Sequence, residues 1–520
     1  MEADRRRGLI LTGALLVLWE VAGRLDWVAG GALPAPTEIA ARLWIDRADY
    51  PRHVGATLSA SALGFAIGNA IAVAAGLLFA LVPRTMAMAR GLNVAIFALP
   101  PIAIAPILSL TLDGLAPRIV LAALGVYFVT MNATVIGLTQ FDRRAADVVR
   151  AYGGGAGRVL RLVQIRGALP GILAGLRVAA PAAVLGAILA EFGGGGRWGL
   201  GTYLLGSLGR GEPARLWSIG LVATAIAGAS YAVFALLSAR MLREGRAVSL
   251  DPATLPEAPD PPRRSVRILF AVISVALPFA VWWAFLWGLS VPAMLGKSPL
   301  DVFHYVALAD GSADARARLG AALAQTIPIT LAGMAAGLAF AFALALVSRA
   351  APAVERAFMP VALVTQTMPL VALTPLLVLI LGRGTTVTLW ITISVTFFPA
   401  YVMIAQGLAQ VPRAAMDLPR AYGAGVFREM RLVSIPASMP WIFAAARLTA
   451  PRALLGVLIA EWLATGQGLG NLLNQSRGYM DFAMIWTVAA TSVLLSVAFY
   501  QIVLVAERAV LRRMGMRAAE

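Results

Sequence analysis

Long stretches without a charged residue constrain this 520-residue chain more than any other feature. An α-helix needs roughly 20 apolar residues to cross the hydrocarbon core of a bilayer. Nine uncharged runs reach that length, at residues 54–82, 91–112, 119–141, 216–239, 268–295, 319–348, 357–382, 384–411 and 482–506. Three weaker segments, at 8–23, 171–190 and 441–460, bring the expected number of spanning helices to about twelve. The runs lack the alternation of a transmembrane barrel, so we predict an all-α, polytopic membrane protein.

The composition agrees with this prediction. Hydrophobic residues make up 60% of the chain and charged residues 13%, whereas a typical soluble domain has about 25% charged residues. Cysteine is absent, which excludes disulfides and thiolate metal sites. The two histidines, His53 and His304, lie far apart in the sequence. We therefore predict no metal site.

The N-terminal 23 residues can be interpreted in two ways. Three arginines followed by an apolar run are typical of a signal peptide. However, Glu20 interrupts the end of the run, and many further spans follow. We expect a first helix that is retained in the membrane.

Residues 143–200 occur a second time, 270 positions later. Most of the identities lie in a polar, basic loop between apolar runs, where a lipid environment gives no reason for two sequences to match. A repeated loop indicates a repeated docking function. The first-copy residues with identical counterparts are Arg143, Ala145, Asp147, Arg150, Ala151, Tyr152, Gly153, Gly155, Arg161, Leu162, Val163, Ile165, Pro170, Arg177, Pro181, Gly186 and Glu191.

The repeat extends beyond this loop. Thr57, Gly64 and Gly68 recur as Thr326, Gly333 and Gly337, on spans where small residues allow helices to pack closely. With six spans each, the two halves would begin on the same side of the membrane, as parallel repeats do. We expect a fused pseudo-dimer. Its first half has a first helix and external segment (1–53) and a first repeat domain (54–240), and a cytoplasmic linker rich in proline and charge (241–267) follows. Its second half has a helix and external segment (268–318), a second repeat domain (319–508) and a cytoplasmic tail (509–520).

The distribution of basic residues predicts the orientation. The formal net charge is +17, which by itself would suit nucleic acid. With the N-terminus placed inside, however, the inside segments carry 27 lysines and arginines and the outside segments 13. This asymmetry is the positive-inside rule. It predicts cytoplasmic termini, cytoplasmic repeated loops and no role for nucleic acid.

Each repeated loop has the features of a short capped helix. Residues 147–152 and 417–422 can each form a helix that ends at Gly153 or Gly423, where glycine allows a left-handed turn. An acid near the start and arginines beyond suit the helix dipole.

These loops resemble the EAA loop of binding-protein-dependent ABC importer permeases. The second copy reads Asp417-Leu-Pro-Arg-Ala-Tyr-Gly423, followed by nine residues and then Val433-Ser-Ile-Pro436. The first copy matches less well, because Arg166 replaces the motif proline, and Asp replaces the leading Glu in both copies. Downstream residues, including Ala460-Glu-Trp-Leu463 and Gly468-Leu-Gly470, are similar to the nitrate, taurine and sulfonate branch of these permeases.

The resemblance implies a permease and not an enzyme. Two copies of a separate cytoplasmic ATPase subunit would bind ATP and Mg²⁺, and a periplasmic protein would deliver the solute. This chain would lie in the lipid of a bacterial inner membrane and would have no cofactor of its own. The solute would be small, either sulfonate-, nitrate- or taurine-like or a pyrimidine-like precursor. The residues expected to couple to the ATPase are Asp147, Arg150, Tyr152, Gly153, Gly155, Asp417, Arg420, Tyr422, Gly423 and Gly425.

A second set of residues is a candidate for the translocation pathway. Prolines break the helical ladder within spans, so they either kink packed helices or line a cavity. Charges inside spans are costly, and they form ion pairs, reach towards the interface or line a path for an anion. Arg177, Arg447 and Arg452 belong to this charged group. The pathway candidates are Pro100, Pro106, Glu191, Pro369, Pro375 and Glu461.

Two other classes of function remain as alternatives. An ion-coupled secondary transporter would need buried acids on several spans, yet the main internal carboxylates are Glu191 and Glu461, near span ends. A membrane-embedded enzyme would need a polar constellation that the sequence lacks. Binding to an ATPase would separate these alternatives from the permease.

Overall fold

We describe a computed structural model of the chain, covering residues 13–14, 16–28, 31–194, 196–208, 210–241, 264–351, 370–411 and 413–516. The described residues form helices and turns, with no strand among them. The helices of the first half are α1 (Pro36–Ile45), α2 (Tyr50–Leu81), α3 (Pro83–Ala98), α4 (Pro101–Thr111), α5 (Ala116–Thr139), α6 (Arg143–Ala151), α7 (Ala156–Val159), α8 (Ile165–Gly194), α9 (Leu200–Leu208) and α10 (Pro213–Met241).

In the second half, the described helices follow the same order from the counterpart of α1 onwards, and the counterpart of α3 lies outside the described residues. A long helix precedes the counterpart of α1, as helical residues 16–24 precede α1. The helices of the second half are α11 (Arg264–Gly288), α12 (Pro299–Ala307), α13 (Ser312–Ala350), α14 (Leu370–Leu381), α15 (Thr385–Ala409), α16 (Arg413–Ala421), α17 (Val426–Glu429), α18 (Ile435–Ala437), α19 (Met439–Ala460), α20 (Gly468–Gly478) and α21 (Phe482–Arg513). Matched π-helical turns, Leu160–Gln164 and Met430–Ser434, follow α7 and α17. A third π-helical turn, Glu461–Thr465, extends α19.

Nine helical stretches of the described chain are long and apolar enough to cross a membrane, or ten if one bent pair counts as a span. They confirm the all-α, polytopic prediction. Nine of the twelve predicted spans correspond to these stretches, whereas the segments 8–23 and 357–382 lie partly outside the described residues. Pro369 and most of the linker 241–267 also lie outside them.

The predicted span 91–112 is not one straight helix. Helices α3 and α4 meet at a bend of 97°. The chain leaves the helix at Leu99 and Pro100, both in extended conformation, before Pro101 starts α4. Consecutive prolines explain the break, because a proline has no N–H to donate and disfavours helical conformation in the residue before it.

The predicted close packing at glycine is confirmed in both halves. A Cβ added to Gly64 in α2 would lie 2.5 Å from the Cβ of Ala122 in α5. A Cβ added to Gly333 in α13 would lie 2.5 Å from Cγ2 of Thr392 in α15. The equivalent helix pairs therefore approach equally closely, which small residues permit.

The two halves share one apolar core and exchange equivalent contacts. Helix α4 packs against α19, α20 and α21 of the second half, and α14 packs against α8, α9 and α10 of the first. Buried residues from both halves, such as Ile107 and Leu458, belong to the same cluster. Reciprocal contacts of this kind are what a two-fold relationship produces.

Candidate functional site

The two repeated loops have the same local geometry. Helices α6 and α16 begin four residues earlier than the sequence indicates, at Arg143 and Arg413, and both end one residue before an exposed tyrosine. Tyr152 is 86% exposed and Tyr422 85%. Both aromatic rings are therefore almost fully accessible at the surface of the described structure.

Glycine is required after each of these helices. Gly153 and Gly423 both have φ +74°, in the left-handed region, as the sequence predicts. The amide of the next residue donates a hydrogen bond of 2.9 Å back to the carbonyl of Val149 or Pro419, which closes each helix with a Schellman-type turn. A Cβ at either position would meet no atom within 4 Å, so the left-handed backbone, and not a lack of space, explains the glycine.

Gly155 and Gly425 have a different part in the loop. Each precedes a short helix, α7 or α17, with φ −74° or −72°, which any residue can adopt. A Cβ at either position would meet no other atom within 4 Å. The backbone at these two positions therefore does not require glycine, and their role in coupling stays a prediction.

Ion pairs within the loops differ between the copies. In the first loop Arg150 pairs with Asp147 at 2.9 Å, and both side chains are exposed. In the second loop Arg420 lies 3.9 Å from Asp417 and donates two hydrogen bonds, of 2.8 and 3.1 Å, to the carboxylate of Glu429. This hydrogen-bonded carboxylate raises the pKa of Arg420. The sequence analysis missed Glu429, because its counterpart in the first copy is Val159 and the repeat gives no signal there.

The departure at Arg166 has a structural consequence. In the second copy, Pro436 and Pro440 each remove a backbone donor, and the helix breaks at Ser438 between α18 and α19. In the first copy only Pro170 remains, and α8 continues without interruption from Ile165 to Gly194. The loop therefore joins a broken helix in one half and a continuous helix in the other.

Glu191 and Glu461 occupy matched, buried positions. The Thr57 hydroxyl donates to Oε1 of Glu191 at 2.8 Å, and the Gly201 amide donates to Oε2 at 2.8 Å. For Glu461 the donors are Thr326 at 2.7 Å and the Gly470 amide at 2.9 Å. Each threonine hydroxyl also accepts from a backbone amide, that of Leu200 or Leu469, at 2.9 Å.

Each constellation joins three helices: α2, α8 and α9, or α13, the end of α19 and α20. A Cβ at Gly199 or Gly468 would lie within 2.3 Å of the glutamate Cδ, so only glycine fits there. The carboxylates therefore tie helix ends together. Whether they also line a pathway stays a prediction.

Only the first constellation has a basic neighbour among the described residues. Nη1 of Arg118 lies 3.7 Å from Glu191 and donates to the carbonyl of Trp198 at 2.7 Å. A cavity of about 460 Å³ adjoins this arginine. It is lined by Ala56, Ser109, Leu112, Asp113, Gly114, Leu115, Pro117, Arg118, Ala190, Gly194, Gly196, Arg197 and Trp198.

Three of the four prolines among the pathway candidates lie in the described residues, and all three are buried. Pro100 and Pro106 are buried, and neither lines the cavity described above. Pro375 is buried within α14 at the contact between the halves. Pro369 lies outside the described residues.

The intramembrane arginines have different surroundings. Arg447 forms an ion pair with Glu507 of α21, and both side chains are 2% exposed. Its counterpart Arg177 stacks on Tyr231 of α10, with Cζ 4.4 Å from the ring centroid. Glu507 lies just beyond the last apolar run, where the sequence gives no signal that it faces inwards.

Comparison with known proteins identifies the family. The profile described as "Binding-protein-dependent transport system inner membrane component" matches residues 68–243 and 333–516, well over half of the chain.

The individual relatives are named as transport permeases. The riboflavin transport system permease protein RibX of Chloroflexus aurantiacus is 30% identical over 158 residues, which cover 30% of this chain and 59% of the relative. A probable ABC transporter permease of Haemophilus influenzae is 24% identical over 45% of this chain and 94% of its own length. The formylaminopyrimidine transport permease ThiX of Halalkalibacterium halodurans is 29% identical over 33% of this chain and 70% of its own length.

Two matched segments, two sets of equivalent helices and two copies of one loop agree with each other. The chain belongs to the family of inner-membrane components of binding-protein-dependent transport systems, with two copies of the family domain in tandem.

Proposed function

We propose that the chain forms the complete translocation pathway of an ATP-driven importer, with α6 and α16 each docking one cytoplasmic ATPase subunit. ATP and Mg²⁺ are bound in those subunits, and a separate periplasmic protein delivers the solute. The observation that carries the proposal is the pair of matched loops, each with a glycine at φ +74° and an adjacent exposed tyrosine. Two equal geometries suit two copies of one partner.

The contact between the halves supports the same proposal. Helices α4 and α14 occupy equivalent positions in the two repeats, and each packs against the opposite half. A rigid-body movement of one half against the other would therefore displace both helices together. This arrangement favours a pathway between the halves, bounded by the broken helix at Pro100 and by Pro375.

The solute is a small molecule of the classes carried by relatives. RibX is named for riboflavin, ThiX for formylaminopyrimidine, and another relative, SsuC of Bacillus subtilis, for aliphatic sulfonates. We propose that this chain carries a pyrimidine-like or sulfonate-like solute across the inner membrane, with its N- and C-termini in the cytoplasm.

Site-specific crosslinking tests the docking. A photoreactive residue replaces Tyr152 or Tyr422 in the full-length chain, expressed with its ATPase. We expect light-dependent adducts with a subunit that binds ATP. A control at Tyr479, which is 84% exposed on the predicted opposite side, should give no such adduct.

Uptake into right-side-out or reconstituted vesicles, with ATP enclosed, separates the importer from an ion-coupled transporter. Riboflavin, ethanesulfonate and a formylaminopyrimidine are the probes, each presented with its binding protein. Uptake should require ATP on the ATPase side and should persist when ionophores remove ion gradients. Uptake that needs a gradient but no ATP would overturn the proposal.

A further inference from the structure

The two loops that are proposed to dock the ATPase are equivalent in backbone but different in how they are held. We refer to residues 143–164 as the first loop and to residues 413–434 as the second loop. Positions correspond at an offset of 270 throughout, from α6 and α16 to the π-helical turns. Differences in side chains can therefore be compared position by position.

The second loop is braced by a bidentate ion pair that the first loop cannot make. Arg420, in the last turn of α16, donates two hydrogen bonds to Glu429, whose side chain is 9% exposed. A bidentate arginine–carboxylate pair fixes orientation as well as distance. In the first loop the position of Glu429 is Val159, which is buried, and the ion pair that Arg150 makes within the described residues is with the exposed Asp147.

A second contact ties α16 to the spans. Nη2 of Arg349, near the end of α13, lies 3.3 Å from the sulfur of Met416, which is buried. The corresponding first-half residues are Ala80 and Ala146, whose side chains cannot make such a contact. Two contacts therefore hold α16, one to Glu429 and one to Arg349, and the equivalent positions Val159 and Ala80 cannot make them with α6.

The exposed apolar surface also differs. The second loop exposes Leu418, Tyr422, Val426 and Phe427 at 65%, 85%, 60% and 77%. The first loop exposes Val148 and Tyr152 at 57% and 86%, and it has Ala156 and Gly157 where the second has Val426 and Phe427. Each loop also exposes one leucine, Leu162 at 44% and Leu432 at 58%. A partner that covers each loop would bury more apolar side chain on the second.

From these differences we infer that the loops are unequal docking sites: the second is a pre-organised anchor that supplies most of the affinity for the ATPase, and the first is a compliant, weaker site. A rigid surface loses less conformational freedom on binding, and a larger apolar surface gains more from burial. The occupant is an ATPase subunit with an apolar groove that receives Tyr422 and Phe427. The inference rests on the proposed function.

Binding measurements on the full-length chain in lipid nanodiscs test this inequality. The double variant Phe427→Gly, Glu429→Val gives the second loop the first-loop residues at these two positions. We expect the apparent Kd for the ATPase to rise roughly tenfold, as the loss of one large apolar contact predicts. Gly157→Phe with Val159→Glu gives the first loop the residues of the second, and we expect tighter binding.

The outcomes separate the inference from the proposed function. If the parent chain bound no ATPase, the proposed function would fail. Two outcomes with a parent chain that binds would contradict only the inequality. One is a change in Kd of less than twofold in the Phe427 and Glu429 variant, and the other is equal weakening by Tyr152→Ala and Tyr422→Ala.

The mobility of spin labels on the two loops can be measured without an ATPase. A label on the first loop shows whether a change in the second loop has disturbed the fold elsewhere. The chain has no cysteine, so labels at Tyr152→Cys and Tyr422→Cys are unique. We expect the label at 422 to be less mobile than the label at 152. Adding Glu429→Val should mobilise the label at 422 and leave a label at 152 unchanged. Equal mobility at both sites in the parent would overturn the inference.

Discussion

The hydroxyl of Thr326 donates a hydrogen bond of 2.7 Å to Oε1 of Glu461, although 135 residues separate them in the chain. Thr57 and Glu191 make the same bond in the first half, at 2.8 Å across 134 residues. Both hydroxyls are buried, and each also accepts from a backbone amide. The threonine is therefore the central member of a network that connects three helices.

Replacing this threonine by valine should lower the stability of either half. Thr326→Val leaves the Leu469 amide unpaired and removes one donor from Glu461, and an unsatisfied buried group costs about 1–3 kcal/mol. The measurement is thermal unfolding in a fixed detergent. Thr330→Val is the matched control, because its equally buried hydroxyl bonds only to a carbonyl of its own helix. Equal shifts for both variants would contradict the network.

The left-handed glycines should be needed for coupling and not for folding. Valine at Gly153 or Gly423 would have to adopt φ +74°, at a cost of roughly 1–2 kcal/mol. The loop should therefore reorient while the spans remain folded, and transport and solute-stimulated ATP hydrolysis should fall at constant membrane abundance. Because the second loop is braced, the two variants need not be equally impaired.

Alanine at Gly425 tests the predicted coupling role of the second glycine separately. Its φ of −72° suits any residue and a Cβ there meets open space, so a loss of transport in this variant would come from the docking surface and not from backbone strain. If Gly423→Val assembled and transported like the parent, the coupling assignment would be wrong even though the fold would stand.

The ion pair of Arg447 and Glu507 should be more costly to break than to remove. Both side chains are buried, so Glu507→Leu removes the carboxylate that pairs with Arg447 and should destabilise the protein by about 3–5 kcal/mol. Arg447→Met combined with Glu507→Leu should recover much of that loss, because no charge remains buried. The abundance of folded protein by fluorescence-detected gel filtration measures both variants. A double variant less stable than Glu507→Leu would refute this account.

Cysteine labelling should place the repeated loops inside and the segment between α11 and α12 outside. The chain has no native cysteine, and Arg150 and Met294 are both exposed. An impermeant reagent added to intact cells should label Met294→Cys and spare Arg150→Cys until the membrane is opened. Labelling at position 150 from outside would reverse the topology. Gly468, which the same orientation of the chain places outside, is unsuitable because it packs against Glu461.

The sequence alone determined the membrane class, the duplication and the form of the loops. A bilayer provides no hydrogen-bond partners, so uncharged runs of sufficient length must form helices. A left-handed residue after a short helix favours glycine strongly, so Gly153 and Gly423 indicated their own conformation. Both features depend on local chemistry, which can be recognised without knowing what packs against it.

Only the tertiary structure decided which distant side chains meet. Sequence reasoning treated Thr57 and Thr326 as parts of a packing pattern, but the rotation of α2 and α13 brings them to Glu191 and Glu461. The sequence predicted one span at 91–112, in which Pro100 and Pro106 would kink the helix or line a cavity, and not two helices that meet at 97°. Glu429 and Glu507 gave no repeat signal, because their importance depends on the faces of helices that approach only after packing. Such contacts are set by helix rotation and approach, and these are properties of the folded assembly as a whole.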